Sequence, residues 1–317
     1  MSERTPHRIV SFLASGTEIL VALGLEDRIV GISHECDYPQ HVLDRPRLSR
    51  PRFDPAGLDS GQVDAAVRAA MQEFGSVYEV DAVLLADLEP DMILTQAVCE
   101  VCAVPTPGVR ALAGEMGIGA NIVSLDAHTV EEILASIIQV ANAAGVPERG
   151  ESVVAELRAR IDAVRSAVAD VAPRSALAIE WLDPPFTPGH WVPEMIEAAG
   201  GKCLVGSAGG HSEQVGWDVM SGLDPDVLLV MPCGYDVEKS RADADMHAER
   251  LAAAAPRALA EDNAFVVNGS AYFNRSGPRF VRGIEILAGL LHPDRWPQPE
   301  PDDAVHWQPR PLQEANP

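Results

Sequence analysis

The sequence predicts an α/β protein with two Rossmann-like lobes, joined by a long rigid helix, and a ligand cleft between the lobes. An apolar run, a polar turn and a helical pattern occur in the same order at 8–31 and at 176–206. A Leu-x-Pro-Asp segment repeats at 88–91 and 223–226, each time before an apolar strand. The 317 residues suit two domains of about 150 residues each. Because ligands are usually held at domain interfaces, this duplication favours binding over catalysis.

The first lobe is predicted to span residues 1–145, with strands and helices in alternation. Its strands are expected at the apolar runs 8–12, 29–31, 88–94 and 121–125. A helical pattern follows the first strand at 16–24, and Thr129 with Glu132 forms the capping box of a later helix. The lobe also carries additional sequence between its strands, in which 63–74 is predicted to form a short helix.

The segment between the lobes, residues 146–173, is predicted to form one helix over 147–171. Apolar side chains recur there at helical spacing, Pro147 suits a first helical turn, and Pro173 follows the end. At about 1.5 Å per residue such a helix is a rod of roughly 37 Å. A rod of that length can join two lobes and limit how far they hinge.

The second lobe is predicted over residues 174–295, followed by a Pro-rich tail over 296–317. Its strands are expected at 176–180, 204–206, 223–229 and 264–268, and a helix is expected at 192–201. The six prolines and several charges of the tail favour an irregular, solvated segment. Docking of the tail through Trp296 or Trp307 is the alternative.

Charge and composition exclude some partners. The net charge is −23, from 24 basic and 47 acidic side chains, and this field repels phosphate backbones and anionic lipids. Neither nucleic acid binding nor membrane insertion is expected. The odd number of cysteines, five, does not indicate a disulfide framework, and Cys203, at the start of a predicted strand, is expected to pack in the core. Residues 1–7 contain no signal-peptide pattern, so we expect a cytoplasmic protein, or a periplasmic one if the N-terminus is truncated.

Several motifs together carry a family resemblance. The stretch 11–24, the repeated Leu-x-Pro-Asp segments, the helix between the lobes and 279–287 follow an order that resembles the class III substrate-binding proteins of ABC transporters. Those proteins bind vitamin B12, haem and iron-siderophores, and the resemblance covers residues 8–292. The motifs that look like the cobalamin-binding subgroup are 33–39, 99–104, 180–184 and 189–193.

The resemblance implies a corrinoid such as cobalamin, or a related metal chelate, as ligand, and an ABC permease as partner. Transport members carry an export signal or a lipoprotein cysteine, and residues 1–7 show neither. A permease partner therefore stays an open expectation. The docking glutamates of the family are not assigned to positions of this sequence.

The ligand is expected to contact loops beyond the carboxyl ends of the parallel strands. A flat, amide-fringed macrocycle needs aromatic faces for its apolar area and hydrogen-bond donors for its amides. The predicted ligand-binding residues are Ser15, His34, Tyr38, Trp181, His190, Trp191, His211, Trp217, Tyr235 and Phe273. For the aromatic members, packing in the core at strand ends is the alternative interpretation.

Histidine and cysteine side chains on the same loops suggest a zinc or iron site. The candidate metal ligands are His34, Cys36, Cys99 and Cys102. The two-residue spacing of Cys99 and Cys102 lets one turn present two thiolates, although a metal site of this kind usually has a second such pair. A redox or disulfide pair and two inert buried cysteines are the alternatives. A thiolate or imidazole of this set is also a candidate axial ligand to the cobalt of a bound corrinoid, and His190 and His211 compete for that role.

No recognisable catalytic motif is present. Residues 207–211 lack the Gly-x-Ser-x-Gly frame of a nucleophile elbow, and neither a phosphate-binding loop nor a dinucleotide fingerprint occurs. We therefore expect a non-catalytic binding protein for a corrinoid or related metal chelate. The alternative is a cytoplasmic zinc- or iron-binding protein, or a chelatase-like one, that uses a His/Cys cluster in the cleft.

Overall fold

The computed structural model describes residues 6–97 and 104–309, in which strands and helices alternate along the chain. The strands are β1 Ile9–Ser11, β2 Ile29–Ile32, β3 Ser49–Pro51, β4 Tyr78–Val80, β5 Met92–Thr95, β6 Asn121–Ser124, β7 Arg174–Ile179, β8 Trp181–Leu182, β9 Pro185–Phe186, β10 Gly201–Cys203, β11 Val227–Val230, β12 Ala264–Val267 and β13 Ala304–His306. The α-helices are α1 Ala14–Ala22, α2 Ser60–Phe74, α3 Ala82–Asp87, α4 Thr106–Glu115, α5 Val130–Ala143, α6 Pro147–Ala167, α7 Val192–Ala198, α8 Trp217–Ser221, α9 Val237–Met246, α10 Ala248–Ala254, α11 Pro256–Ala260, α12 Gly269–Tyr272 and α13 Phe280–Leu291.

The chain divides into two compact units. The first takes in the described residues up to 57, then 65–157 and 276–278, and the second takes in the remainder. Residues 58–64, at the start of α2, therefore group with the second unit. The lobe boundaries expected near residues 145 and 174 stay a prediction.

The two units contain sheets with the same strand order. In the first, parallel strands follow one another as β2-β1-β5-β6, and in the second as β10-β7-β11-β12, with β13 added antiparallel at the edge. If each set of parallel strands is numbered along the chain, both orders read 2-1-3-4. The predicted α/β class with two Rossmann-like lobes is confirmed.

The repeated Leu-x-Pro-Asp segment has the same role in both units. The Asp91 carboxylate accepts a hydrogen bond from the Arg8 backbone N–H at 3.0 Å, just before β1. In the second unit, the Asp226 carboxylate accepts from the Ser175 backbone N–H at 2.8 Å, in β7. The second residue of each segment has the same left-handed φ of 42°. Each motif thus ties the start of one central strand to its neighbour through a hydrogen bond.

Helix α6 is shorter than predicted. It begins at Pro147 as expected but has 21 residues, about 31 Å, and ends at Ala167 instead of Val171. Pro173 disfavours helical backbone at residue 172, so it sets an outer limit for the helix a few residues beyond this end. On α6, the Arg160 guanidinium forms a two-bond ion pair with the Glu285 carboxylate of α13, at 2.8 and 2.9 Å.

The expectation of a solvated tail was wrong for residues 304–307. Strand β13 pairs with β12, and the Trp307 backbone N–H donates to the Ala264 carbonyl at 2.8 Å. The Trp307 side chain is fully buried, and its indole N–H donates to the Asp245 carboxylate at 2.9 Å. Two contributions outweigh the conformational entropy that the proline-rich segment loses when it becomes ordered. They are the burial of the Trp307 ring and the hydrogen bonds that β13 forms with the edge of β12.

The core of each unit contains the apolar faces of its sheet. The second unit packs β7, β11 and β12 against α9, α10 and α11, and α13 is buried over most of its length. The capping box of Thr129 and Glu132 is present at the start of α5, as predicted. Within the described part of the chain, no helix is both long and apolar enough to cross a bilayer.

Candidate functional site

The chemically richest part of the second unit is the carboxyl edge of its sheet. The loops that follow β7, β11 and β12 meet there, and backbone hydrogen bonds join them. The Cys233 backbone N–H, after β11, donates to the Glu180 carbonyl, after β7, at 3.0 Å. The Ser270 backbone N–H, after β12, donates to the Tyr235 carbonyl at 3.0 Å. Ligands of open α/β sheets bind at this edge.

Two aromatic rings pair at this edge. The centroids of the Trp181 and Tyr235 rings are 5.2 Å apart and the ring planes are inclined by 59°. The Lys239 ammonium lies 4.0 Å from the centroid of the Tyr235 ring, a cation–π contact. The Tyr235 hydroxyl is buried without a hydrogen-bond partner among the described residues. Burial, with nearby Asp243 and Asp59, raises the pKa of this phenol.

Two histidines lie on neighbouring loops of the same edge. The centroids of the His190 and His211 rings are 5.3 Å apart, in an edge-to-face arrangement. The loops are joined at His190, whose backbone N–H donates to the Gly210 carbonyl at 2.5 Å and whose carbonyl accepts from the Gly209 N–H at 2.9 Å. His190 has a φ of 51°, which is uncommon for a residue with a side chain.

Glu180 lies directly after β7 and beside these loops. The Ser212 hydroxyl donates to Glu180 Oε2 at 2.5 Å. Burial raises the pKa of Glu180 from 4.5 to about 7, and the hydrogen bond from Ser212 opposes that rise.

Other predicted site residues of this unit are packed inside it. The Trp191 indole N–H donates to the Phe273 carbonyl at 2.7 Å, and both side chains are buried. Trp217 packs against the core cluster, where its indole N–H has no hydrogen-bond partner among the described residues. The assignment of Trp191, Phe273 and Trp217 as ligand-binding residues stays a prediction. The burial of Trp191 and Phe273 and the partial burial of Trp217 fit the alternative of core packing.

The first unit contains the other three predicted ligand-binding residues. Ser15 is buried in the first turn of α1, where its hydroxyl oxygen accepts from the Ser276 hydroxyl at 3.5 Å. Tyr38 is 48% exposed. The His34 ring lies 4.9 Å from the Tyr78 ring, and its Nδ1 is 2.8 Å from Ser49 Oγ.

The expected His/Cys metal cluster is not seen in the described residues. There, no group of three or more His, Cys, Asp or Glu side chains is placed to hold a metal ion. The Cys36 thiol is buried against the Thr17 hydroxyl, 3.1 Å away, whereas the His34 Nδ1 atom contacts a serine. Cys99 and Cys102 lie outside the described residues, so their role stays a prediction.

Cys203, the expected core cysteine, is half-buried. Its thiol donates to the Val205 carbonyl at 2.9 Å. Burial, with nearby Glu197 and Glu180, raises the pKa of this thiol to about 11. The protonated thiol is therefore the form present at neutral pH, and it is a poor nucleophile and a poor metal ligand.

A buried polar group of the second unit was missed by the sequence reasoning. The Ser60 hydroxyl donates to Asp243 Oδ1 at 2.8 Å, and His247 Nε2 lies 3.8 Å from the same oxygen. Burial raises the pKa of Asp243. Ser60 is fully buried, so its hydroxyl is not accessible as a nucleophile despite the Ser, His and Asp composition. Ser60 is far from the other two residues in sequence, and only a fold brings the three together.

Glu180 and Ser212 were also missed as site residues. Glu180 was part of a recognised sequence motif but was not assigned to the ligand-binding site. Its position between a buried strand and an aromatic residue was the signal that could have identified it. Ser212 carries no local signal, because its partner is 32 positions away in the sequence. Sequence reasoning therefore found the rings of this edge and missed the carboxyl group among them.

Comparison with known proteins identifies the group to which this chain is similar. The sequence model of a family described as periplasmic binding protein matches residues 9–269. An uncharacterized ABC transporter substrate-binding lipoprotein of Bacillus subtilis is 23% identical over 305 residues, 92% of this chain and 82% of that protein. A vitamin B12-binding protein of Vibrio cholerae is 24% identical over 286 residues, 90% of this chain and 88% of that protein.

Solved structures share the fold. A periplasmic heme binding protein of Pseudomonas aeruginosa aligns with a TM-score of 0.71 at 20% identity, covering 96% of this chain and all of that one. The periplasmic vitamin B12 binding protein of Vibrio cholerae aligns with a TM-score of 0.66 at 22% identity, covering 90% and 97% of the two chains. At 20% and 22% sequence identity, the similarity to these structures establishes the two-lobed architecture.

The expectation of a cytoplasmic location was wrong. The matching family consists of periplasmic binding proteins, and one of the relatives is a lipoprotein. That expectation depended on the pattern of residues 1–7, with the odd cysteine count as agreeing evidence. The point at which a chain begins is no evidence for the compartment in which the protein works.

Proposed function

This chain belongs to the periplasmic binding protein family, and from that premise we propose that it is the substrate-binding protein of an ABC transporter for a corrinoid or a related metal chelate. It captures the ligand without chemical turnover. Its partner is the permease of that transporter, to which it delivers the chelate. The binding surface of the second unit is the carboxyl edge of its sheet.

The observation that carries this proposal is the gathering of aromatic and imidazole groups at that edge. The paired Trp181 and Tyr235 rings supply apolar area for the face of a macrocycle. His190 and His211 supply nitrogen atoms, which cobalt and iron accept as ligands. A planar metal chelate with a polar fringe is the ligand class that uses all four side chains.

The relatives support a corrinoid as the first choice within that class. The Vibrio cholerae protein, similar over 90% of this chain, is a vitamin B12-binding protein. Haem is the second candidate, because a structural neighbour is a heme-binding protein and haem iron commonly takes an imidazole ligand. Ser15, His34 and Tyr38 are proposed as the contributions of the first unit.

An equilibrium titration with hydroxocobalamin, followed by calorimetry and visible absorption, tests the proposal. Binding of one corrinoid per chain is expected, and Trp181→Ala should weaken it. A shift of the cobalt absorption bands that is lost in His190→Ala or His211→Ala would identify the axial ligand. Val219→Ala, which truncates an exposed apolar residue of α8 in the same unit, is a matched control that should bind like the unmodified protein. Haem is titrated in parallel under the same conditions. Binding of haem but not of hydroxocobalamin would reject the corrinoid, and binding of neither would reject the metal-chelate class.

A further inference from the structure

The first turn of α2, residues 59–62, belongs to the second unit and is attached there to α9. Ser60 is fully buried, and its hydroxyl and its backbone N–H both donate to Asp243 Oδ1, at 2.8 and 3.4 Å. Two further hydrogen bonds close the turn itself. The Asp59 carboxylate accepts from the Gln62 backbone N–H at 2.8 Å, and the Gln62 amide oxygen accepts from the Asp59 backbone N–H at 3.1 Å. The 59–62 turn is therefore closed at its ends and held to α9 by the Asp243 carboxylate.

The 59–62 turn also contacts the loop that carries Trp181. A Cβ atom at Gly61 would lie 3.0 Å from Asp183 Oδ2, so the backbone of the turn closely approaches the Asp183 side chain. The Asp183 carbonyl accepts from the Trp181 indole N–H at 3.1 Å. One residue beyond Ser60, the turn is thus in contact with the residue that holds the Trp181 ring.

Helix α9 contacts the other ring of the aromatic pair. Lys239 and Asp243 are four residues apart on this helix and so lie on one face of it. The Lys239 ammonium is 4.0 Å from the centroid of the Tyr235 ring, which pairs with Trp181. The two elements that the Ser60–Asp243 hydrogen bond joins are therefore the two that flank the aromatic pair.

A carboxylate at position 243 is not explained by packing alone. Asp243 is 2% exposed, and its Oδ2 atom is buried without a hydrogen-bond partner among the described residues. Apolar residues that replace buried ionic groups are often neutral or stabilising. The acceptor atom that Asp243 offers to both donors of Ser60 accounts for the retention of a carboxylate here.

We propose that the 59–62 turn forms a wall of the ligand site beside Trp181, and that Ser60 is the positioning residue that fastens this wall to α9. This inference rests on the proposed function, because it assigns the aromatic pair to the chelate. Ser60 is fully buried, so it acts through Gly61 and Asp183 and does not touch the ligand. Its contribution is to order the wall before the ligand arrives, which removes that ordering cost from binding.

Ligand affinity gives the first test. Ser60→Ala removes the hydroxyl donor and should bind hydroxocobalamin about tenfold more weakly, the loss that corresponds to one hydrogen bond. In Asp243→Asn the amide keeps an oxygen that accepts from Ser60, so this variant should bind more tightly than Ser60→Ala. Ser166→Ala is the matched control, because it removes an exposed serine hydroxyl from α6 in the same unit, and its affinity should be unchanged. Equal affinity in Ser60→Ala and Ser166→Ala would overturn the positioning role.

A measurement without ligand separates this inference from the proposed function. Nitrogen–proton NMR should show a shifted Trp181 indole signal in Ser60→Ala and an unshifted one in Ser166→Ala, with the signal assigned by Trp181→Phe. The Trp191 indole signal, from a ring bonded to the Phe273 carbonyl, should stay in place and so exclude a general loosening of the fold. Gly61→Val leaves the Ser60 hydroxyl intact and should shift the Trp181 signal by displacing Asp183, which provides a test even if Ser60→Ala does not fold.

The outcomes of the two measurements are distinct. If the unmodified protein binds neither hydroxocobalamin nor haem, the proposed function fails and the role of the 59–62 turn as a wall of the site fails with it. A Trp181 signal that stays in place in both Ser60→Ala and Gly61→Val would overturn the positioning role whatever the ligand.

Discussion

Replacement of Glu180 by glutamine should change how the stability of the protein depends on pH. The folded-state pKa of Glu180, about 7, is above the value of 4.5 expected for an exposed glutamate, because burial disfavours its charged form. Between those pH values the folded protein binds a proton that the unfolded chain has released. The stabilisation is therefore fully present below pH 4.5 and is lost as the pH rises through 7.

The size of the effect follows from the two pKa values. A pKa unit corresponds to about 1.36 kcal/mol, so the change from 4.5 to about 7 is worth about 3 kcal/mol. Glutamine resembles the neutral acid at every pH. Glu180→Gln should therefore be close to the unmodified protein in stability near pH 4, and more stable by up to about 3 kcal/mol at pH 8.

Urea unfolding followed by tryptophan fluorescence at several pH values is the assay. The difference in unfolding free energy between Glu180→Gln and the unmodified protein should grow between pH 4.5 and 7 and then level off. Carbon-13 NMR of the labelled carboxyl group gives the pKa directly. Glu213→Gln is the control for the loss of one negative charge from the neighbouring loop that contains Ser212. A constant difference across the whole pH range would refute the argument that burial raises the pKa of Glu180.

Three further substitutions have defined outcomes. Trp307→Ala should destabilise the second unit by about 3–5 kcal/mol, because the ring is fully buried and donates to Asp245, and a melting curve with little change would contradict the docking of the tail. Tyr235→Phe should be neutral or stabilising by up to about 1 kcal/mol, because it removes a buried hydroxyl without a hydrogen-bond partner among the described residues, and a loss of stability in urea unfolding would show that the hydroxyl has one. Gly189→Ala should separate the two histidine loops, because its methyl group would lie 2.3 Å from the Ser212 nitrogen. Unchanged backbone amide NMR signals of residues 206–217 would contradict this expectation.

The duplicated architecture could be predicted from the sequence because its signals are local. The alternation of apolar runs and helical patterns, the capping box at Thr129 and the start of α6 at Pro147 each involve residues a few positions apart. The two Leu-x-Pro-Asp segments could be recognised as equivalent from their residues alone. Their shared backbone conformation, with φ of 42° in both copies, shows that the same residues impose the same turn.

The tail and the cysteines depended on tertiary contacts. Proline content predicted a solvated segment, but Trp307 is buried in a part of the second unit that only the folded sheet and Asp245 create. Cys36 has a position in sequence that suits a metal ligand, yet the fold places Thr17 against its thiol. Composition indicates which side-chain groups are present. It does not indicate which other residues each of them contacts in the fold.

The candidate site, too, could be predicted only in part from the sequence. Aromatic and imidazole side chains that follow strands could be assigned to one edge of a sheet from the sequence, because parallel strands end at a common edge. The sequence alone therefore determined the two-lobed α/β class and the residue types of the candidate site. The pairing of Trp181 with Tyr235, the hydrogen bond from Ser212 to Glu180 and the raised pKa of that carboxyl group were decided by tertiary structure. Each depends on the distance between groups far apart in sequence and on their removal from water.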